Sequence, residues 1–286
     1  MLLPVAKIVT LMKNNKLGII AGEGKMPVYI AREATEKGVE VFVVAVKGNV
    51  REEDFRGVAA LFKEMRIGQL GATIKFFQEN GVSQIVMAGR VQHSTIFKNL
   101  MPDLRGAKFL ASLKSMQTSY LLNKIMDEFK KEGLEFVNSA MYLEHFMPKK
   151  GVLSKRKPTE EETKSVQYGY KIAKGIADLD IGLTCVVSQS AVIAVEGMEG
   201  TDNCILRAGE LYKKSDEKKA SVAVVKVARP DQDNRFDLPV IGKGTIESVV
   251  TAGFKVLAFE AEKTLVLDLE DVIALADKHH LCLMAI

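Results

Sequence analysis

Apolar positions along this chain follow two rhythms. Leu17–Ala21, Val41–Val46 (VFVVAV) and Gln84–Ala88 (QIVMA) are short runs, almost uninterruptedly apolar, and the first and last run straight into glycine. Continuous runs of this kind suit strands whose two faces are both covered by helices. Between them the spacing turns helical: from near Pro27, over 68–80 through Leu70, Ile74 and Phe77, and over 108–131. A further strand is expected at 135–138. Strand–helix alternation with apolar strands predicts a parallel α/β sheet.

The rhythm breaks in HFMPKKGVLSKRKPTEEE, residues 145–162, where two prolines, a glycine and mixed charges interrupt the periodicity. This is the best linker candidate. Beyond it come a long helix (161–177), a hairpin (183–188 and 191–195, turning at Ser188-Gln189-Ser190) and a helix that Thr201 or Asp202 would cap. VAVVKV (222–227) reads as a central strand. Further strands are expected at 255–259, 265–267 and 281–286, with helices near 246–252 and 271–278. The expected organisation is an N-terminal Rossmann-like domain (1–147) and a C-terminal α/β catalytic domain with a mixed sheet (148–286).

Length agrees, since 286 residues at roughly 150 per domain give about two. Apolar residues make up 47% and charged residues 27%, as in soluble globular proteins, so disorder is not expected. The net charge is +4, Trp is absent and aromatics are 7%, which argues against a nucleic-acid partner. Cys185, Cys204 and Cys282 show no CxxC spacing, so neither a zinc ribbon nor a disulfide framework is expected. Cys185 and Cys282 lie in apolar runs, where a thiol acts as a small buried hydrophobe. The first residues lack a basic region and a cleavage site, so they do not read as a signal peptide, and no stretch is long enough to span a membrane. A cytoplasmic protein is expected, meeting any lipid substrate in transient contact with the inner membrane surface.

Three loops leave the carboxyl ends of expected strands, where open α/β sheets take ligands. Gly22-Glu23-Gly24 joins a strand to a helix, a setting in which backbone N–H groups can meet a phosphate; a ligand-free tight turn explains it too. In the second loop, Glu196-Gly197-Met198-Glu199-Gly200-Thr201-Asp202, the glycines and the Thr-Asp pair suit an anion. Its acids could serve a metal or simply favour the helix dipole. The third, 229–239 (RPDQDNRFDLP), alternates three carboxylates with two guanidiniums between prolines. Such carboxylates suit Mg²⁺ bridged to phosphates, and such arginines suit phosphate oxygens; a solvated charged loop is the plain alternative. His279 and His280 close a helix and read as structural, while His93 and His145 stand far apart. GxSxG, HExxH and the P-loop pattern are absent, which removes the serine hydrolase, zincin and P-loop NTPase classes.

LGIIAGEGKMP, VAVEGMEGTD, KVARPDQDNRFDLPVIG and AGFKVLAFEAEKTLVLD, in that order, resemble the UDP-2,3-diacylglucosamine pyrophosphatases of the lipid A pathway. The type resembled is metal-dependent and unrelated to calcineurin-like phosphoesterases. The likeness runs from about Lys16 to the end of the chain. It implies a two-domain α/β hydrolase with its active site between the domains, cleaving UDP-2,3-diacylglucosamine to 2,3-diacylglucosamine 1-phosphate and UMP with Mg²⁺. Asp237 would be the catalytic carboxylate and Asp233 its support, the two holding the metal. Gly22, Glu23, Gly24, Glu196, Gly197, Gly200, Thr201, Asp202, Lys226, Gln232 and Arg235 would bind the UDP-linked acylated glucosamine. A homo-oligomer is left open.

Departures from the pattern lie in the first half. Gln117-Thr118-Ser119 stand where relatives carry Gly-Asp-Asp, Gln92-His93 where an Arg-Pro pair is usual, and Glu23 where a small residue is common. The rival reading is a non-catalytic nucleotide-sugar or dinucleotide-binding protein, which would not need Asp233, Arg235 and Asp237 together. An NAD(P)-dependent oxidoreductase ranks third, because Lys47-Gly48-Asn49 follows the second strand where an acid should contact the ribose.

Overall fold

The computed structural model describes residues 15–90, 100–115, 118–189, 191–214, 221–229 and 238–286, with backbone alone for 118 and 119. The contacts divide the chain after Leu143 into two compact units.

The first unit is a five-stranded parallel sheet in the order β3-β2-β1-β4-β5. Its strands are β1 (Lys16–Ala21), β2 (Glu40–Val46), β3 (Leu61–Met65), β4 (Gln84–Ala88) and β5 (Glu135–Phe136). The helices are α1 (Met26–Glu36), α2 (Leu70–Glu79), α3 (Leu104–Ser112) and α4 (Thr118–Lys131). α1 lays buried Ile30, Ala31 and Ala34 against β1 and β2. Ile74 and Phe77 of α2 join Met126 and Phe129 of α4 in a separate cluster with Phe42, Val44 and Ile85. The single helix expected over 108–131 is interrupted at Leu113–Ser115, dividing α3 from α4. β3 was not expected: of LFKEM only Met65 is buried, so the segment lacks the apolar run that marks its neighbours.

The second unit holds a mixed six-stranded sheet, β6-β13-β11-β9-β7-β8. These strands are β6 (Gly151–Val152), β7 (Thr184–Ser188), β8 (Ala191–Val195), β9 (Val222–Lys226), β11 (Val256–Phe259) and β13 (Cys282–Ala285). β9, β11 and β13 run parallel, while β7 and β6 are antiparallel to their neighbours. A separate parallel pair joins β10 (Val240–Ile241) to β12 (Leu265–Val266). α5 (Glu160–Asp178) covers one face through Val166, Ala173 and Ala177. α6 (Thr201–Lys213), α7 (Lys243–Ala252) and α8 (Leu269–Lys278) build the other cluster, with Ile205, Ile246 and Val272 against Val224 and Leu257.

The stretch read as a linker is partly built into this second unit. β6 pairs with β13, and the Leu153 N–H donates to Leu283 O at 2.8 Å. Thr159 then caps α5 reciprocally with Glu162, at 3.2 and 2.8 Å. All three cysteines are buried, and burial pushes the Cys185 and Cys204 thiols up to about 12 and Cys282 to about 11. They stay protonated and pack as apolar groups.

Candidate active site

β9 is four apolar residues followed by Lys226, which is only 7% exposed although it carries an ammonium group. In register it faces Thr184 of β7 on one side and Phe259 of β11 on the other. An ammonium at such a site needs hydrogen-bond partners. Lys226 Nζ donates to Thr201 Oγ1 at 2.7 Å, and Thr201 Oγ1 donates to Glu196 Oε1 at 3.0 Å. A hydroxyl has one hydrogen to give, so the Thr184 hydroxyl, 3.3 Å away, must donate to Thr201. Glu196 Oε2 accepts the Leu183 N–H at 3.3 Å. One hydroxyl thus ties the start of α6 to the ends of β7, β8 and β9.

The helix begins at Thr201, one of the two expected starts, although Thr201 is not its cap. Gly200 takes that place at φ +81°, a conformation glycine adopts freely, and makes no side-chain cap bond. The first-turn N–H groups of α6 carry partial positive charge, the usual setting for an anion. Asp202 stands exposed in that same turn. Glu199 accepts from Arg207 and, at 3.0 Å, from the Gly197 N–H; the Arg207 guanidinium holds its carboxyl below the usual range.

A second ionic cluster fastens the root of the charged loop. Glu260, directly after β11, accepts from Lys174 at 3.2 Å, Lys263 at 2.7 Å and the Ala228 N–H at 2.9 Å. Burial pushes this carboxyl up, but those donors together outweigh it and hold it below the usual range. Lys174 also donates to Ala228 O at 2.7 Å, and Arg229 pairs with Asp180 at 2.8 Å. Glu260 and Lys174 were missed in the sequence, where the one available signal was an acid following the wholly apolar VLAF. The loop itself, with Gln232, Asp233, Arg235 and Asp237, lies outside the described residues, as do Gln92, His93 and Gln117. Among the described residues no three His, Cys, Asp or Glu gather so as to hold a metal ion. Glu196, Glu199 and Glu260 are each committed to other partners.

The Gly22–Gly24 turn belongs to the first unit, between β1 and α1. Its Gly22 N–H donates to Ala88 O at 2.8 Å and its Glu23 N–H to Arg90 O at 2.7 Å. A Cβ on Gly22 would lie 2.8 Å from Arg90 O, and one on Gly89 would lie 2.7 Å from Gly22 C. Both glycines let two backbones touch where the strand order reverses between β1 and β4. Two of the turn's N–H groups are thereby occupied within the protein. His145 packs its ring on Phe146 at 4.1 Å, and His279 caps the end of α8.

Comparison with known proteins is consistent along the chain. The LpxI N-terminal domain model matches residues 16–146, and the LpxI C-terminal domain model matches 149–284. The UDP-2,3-diacylglucosamine pyrophosphatase LpxI of Caulobacter vibrioides is 34% identical over 268 residues, 92% of this chain and 94% of that one. Among solved structures, an ADP complex of N5-carboxyaminoimidazole ribonucleotide synthetase aligns at 14% identity over 66% of this chain, with TM-score 0.28. The biotin carboxylase subunit of pyruvate carboxylase aligns at 12% over 70%, with TM-score 0.25. The chain spans 40% of each of those two structures, a likeness too distant to bear on fold or function. With two adjoining domain models and a relative matched nearly end to end, the chain belongs to the LpxI family.

Proposed function

We propose that this protein hydrolyses the pyrophosphate of UDP-2,3-diacylglucosamine, releasing UMP and 2,3-diacylglucosamine 1-phosphate in lipid A biosynthesis. The observation that carries the reading is the buried Lys226 ammonium, held by Thr201 at 2.7 Å, at the strand end from which the loop bearing Asp233 and Asp237 departs. Phosphoryl transfer asks a protein chiefly for positioning and charge neutralisation. Lys226 supplies a fixed positive charge to phosphate oxygens, and Thr201 keeps it aimed. The first-turn N–H groups of α6 add a second positive end. Glu260 and Lys174 hold Ala228, two residues beyond the end of β9.

Asp237 is assigned as the catalytic carboxylate with Asp233 as its support, and Gln232 and Arg235 contact the substrate. Mg²⁺ belongs to the same reading. Glu196, Glu199 and Glu260 are already engaged, and on this reading Asp233 and Asp237 would hold the ion, which would neutralise pyrophosphate oxygens. A cytoplasmic enzyme touching the inner membrane surface fits a diacylated substrate.

The test is release of UMP from UDP-2,3-diacylglucosamine by pure protein with Mg²⁺. Loss of turnover in EDTA and in Asp237→Ala is expected. Substrate binding without turnover in the wild-type protein would leave a nucleotide-sugar binder instead.

A further inference from the structure

Glu196 is held more firmly than a solvated acid needs to be. Its backbone N–H donates to Thr184 O at 2.8 Å, directly after β8. A Cβ on Gly182 would lie 2.2 Å from Glu196 O, so the glycine lets the two backbones touch. The side chain is half-buried, and its two oxygens accept from different partners. Oε1 takes the Thr201 hydroxyl at 3.0 Å and Oε2 the Leu183 N–H at 3.3 Å.

Both bonds together ask for a carboxylate. Thr201 Oγ1 already accepts from Lys226 and from Thr184, so its lone pairs are filled and only its hydrogen is left to give. A glutamine turned one way would set its NH₂ against that filled oxygen. Turned the other way, it would set its NH₂ against the Leu183 N–H. A carboxylate is nevertheless a poor contact for a phosphate, since like charges repel. Resting on the reading of Lys226 as the charge that meets phosphate oxygens, we propose that Glu196 is a positioning residue for Lys226, acting through Thr201, and not a contact of the substrate. By taking the Thr201 hydrogen it leaves the hydroxyl oxygen to receive the ammonium. Its negative charge also balances a lysine that is only 7% exposed.

The test is a double-mutant cycle on kcat/KM for UMP release from UDP-2,3-diacylglucosamine with Mg²⁺, using Glu196→Gln, Lys226→Met and the two combined. Glu196→Gln is expected to lower kcat/KM about tenfold in the wild-type background, the scale of coupling within one hydrogen-bond network. In the Lys226→Met background it should cost less than about twofold, because the group it positions is gone. Equal factors in both backgrounds overturn the proposal, since a substrate contact or a purely structural role acts without Lys226. Should Glu196→Gln not fold, Thr201→Val cuts the same link and takes its place in the cycle. The ammonium gives a second readout that needs no turnover. In protein carrying isotope-labelled lysine nitrogen, the Lys226 Nζ resonance is the one missing from Lys226→Met, and Glu196→Gln should shift it. An unmoved resonance overturns the proposal. A shifted resonance in a protein that releases no UMP would defeat the hydrolase reading and leave the positioning role standing; UMP release with an unmoved resonance would do the reverse.

Discussion

Both sheets present a carboxyl edge, and the two edges are furnished in opposite ways. In the first unit the backbones of Gly22-Glu23 and Gly89-Arg90 are laced together, and the space beside them is lined by apolar side chains. In the second, ammonium, hydroxyl and carboxylate groups interlock around Lys226 and Glu260. The same architectural position thus serves two chemistries, set by a handful of side chains.

Removing the charge at the ionic edge should have the largest effect. Lys226→Met keeps most of the side chain's volume, and kcat/KM for UMP release is expected to fall on the order of 10²–10³-fold, as when one preorganised donor is lost. Native circular dichroism would confirm that folding is retained.

A smaller effect, on stability, is expected from Glu260→Gln. Lys174 keeps its bond to Ala228 O but loses its countercharge, an expected loss of about 2 kcal/mol in urea denaturation at neutral pH. The Glu260 carboxyl is held below the usual range, so its contribution is fully present above the unfolded value of about 4.3 and is lost as pH falls through the lower folded value. The gap between wild type and variant should therefore close as the medium becomes more acid than that folded value. A gap that stays constant through acid pH would assign Glu260 a packing role instead.

The smallest expected signal is at the cysteines. With burial raising Cys185 and Cys204 to about 12 and Cys282 to about 11, thiolate is scarce at pH 8. A thiol-reactive dye should label them only after denaturation, and rapid native labelling of any one would place it outside the core.

Much of this contrast was legible in the sequence, for identifiable reasons. VFVVAV, QIVMA and VAVVK are apolar because helices cover both faces of their sheets, so their strands could be read directly. β3 and β6 were not, since an edge strand with exposed residues carries no apolar run, and β6 lies within a Pro- and Lys-rich stretch. Lys226 was noticeable as a charge within an apolar run. The role of Thr201 was not, because a Thr-Asp pair before a helix reads as a cap, and only the fold brings its hydroxyl to Lys226 and Glu196. Nor could the lining of the apolar space in the first unit be told from ordinary core. Leu122 and Ile125 have the spacing of any buried helix face, and what sets them apart is the space left beside them.

The most direct measurement is UMP release from UDP-2,3-diacylglucosamine with Mg²⁺ by wild type and Lys226→Met side by side. The account predicts that Lys226→Met stays folded and loses kcat/KM on the order of 10²–10³-fold. Full turnover in a folded Lys226→Met would contradict the assignment of phosphate recognition to the ionic edge of the second unit.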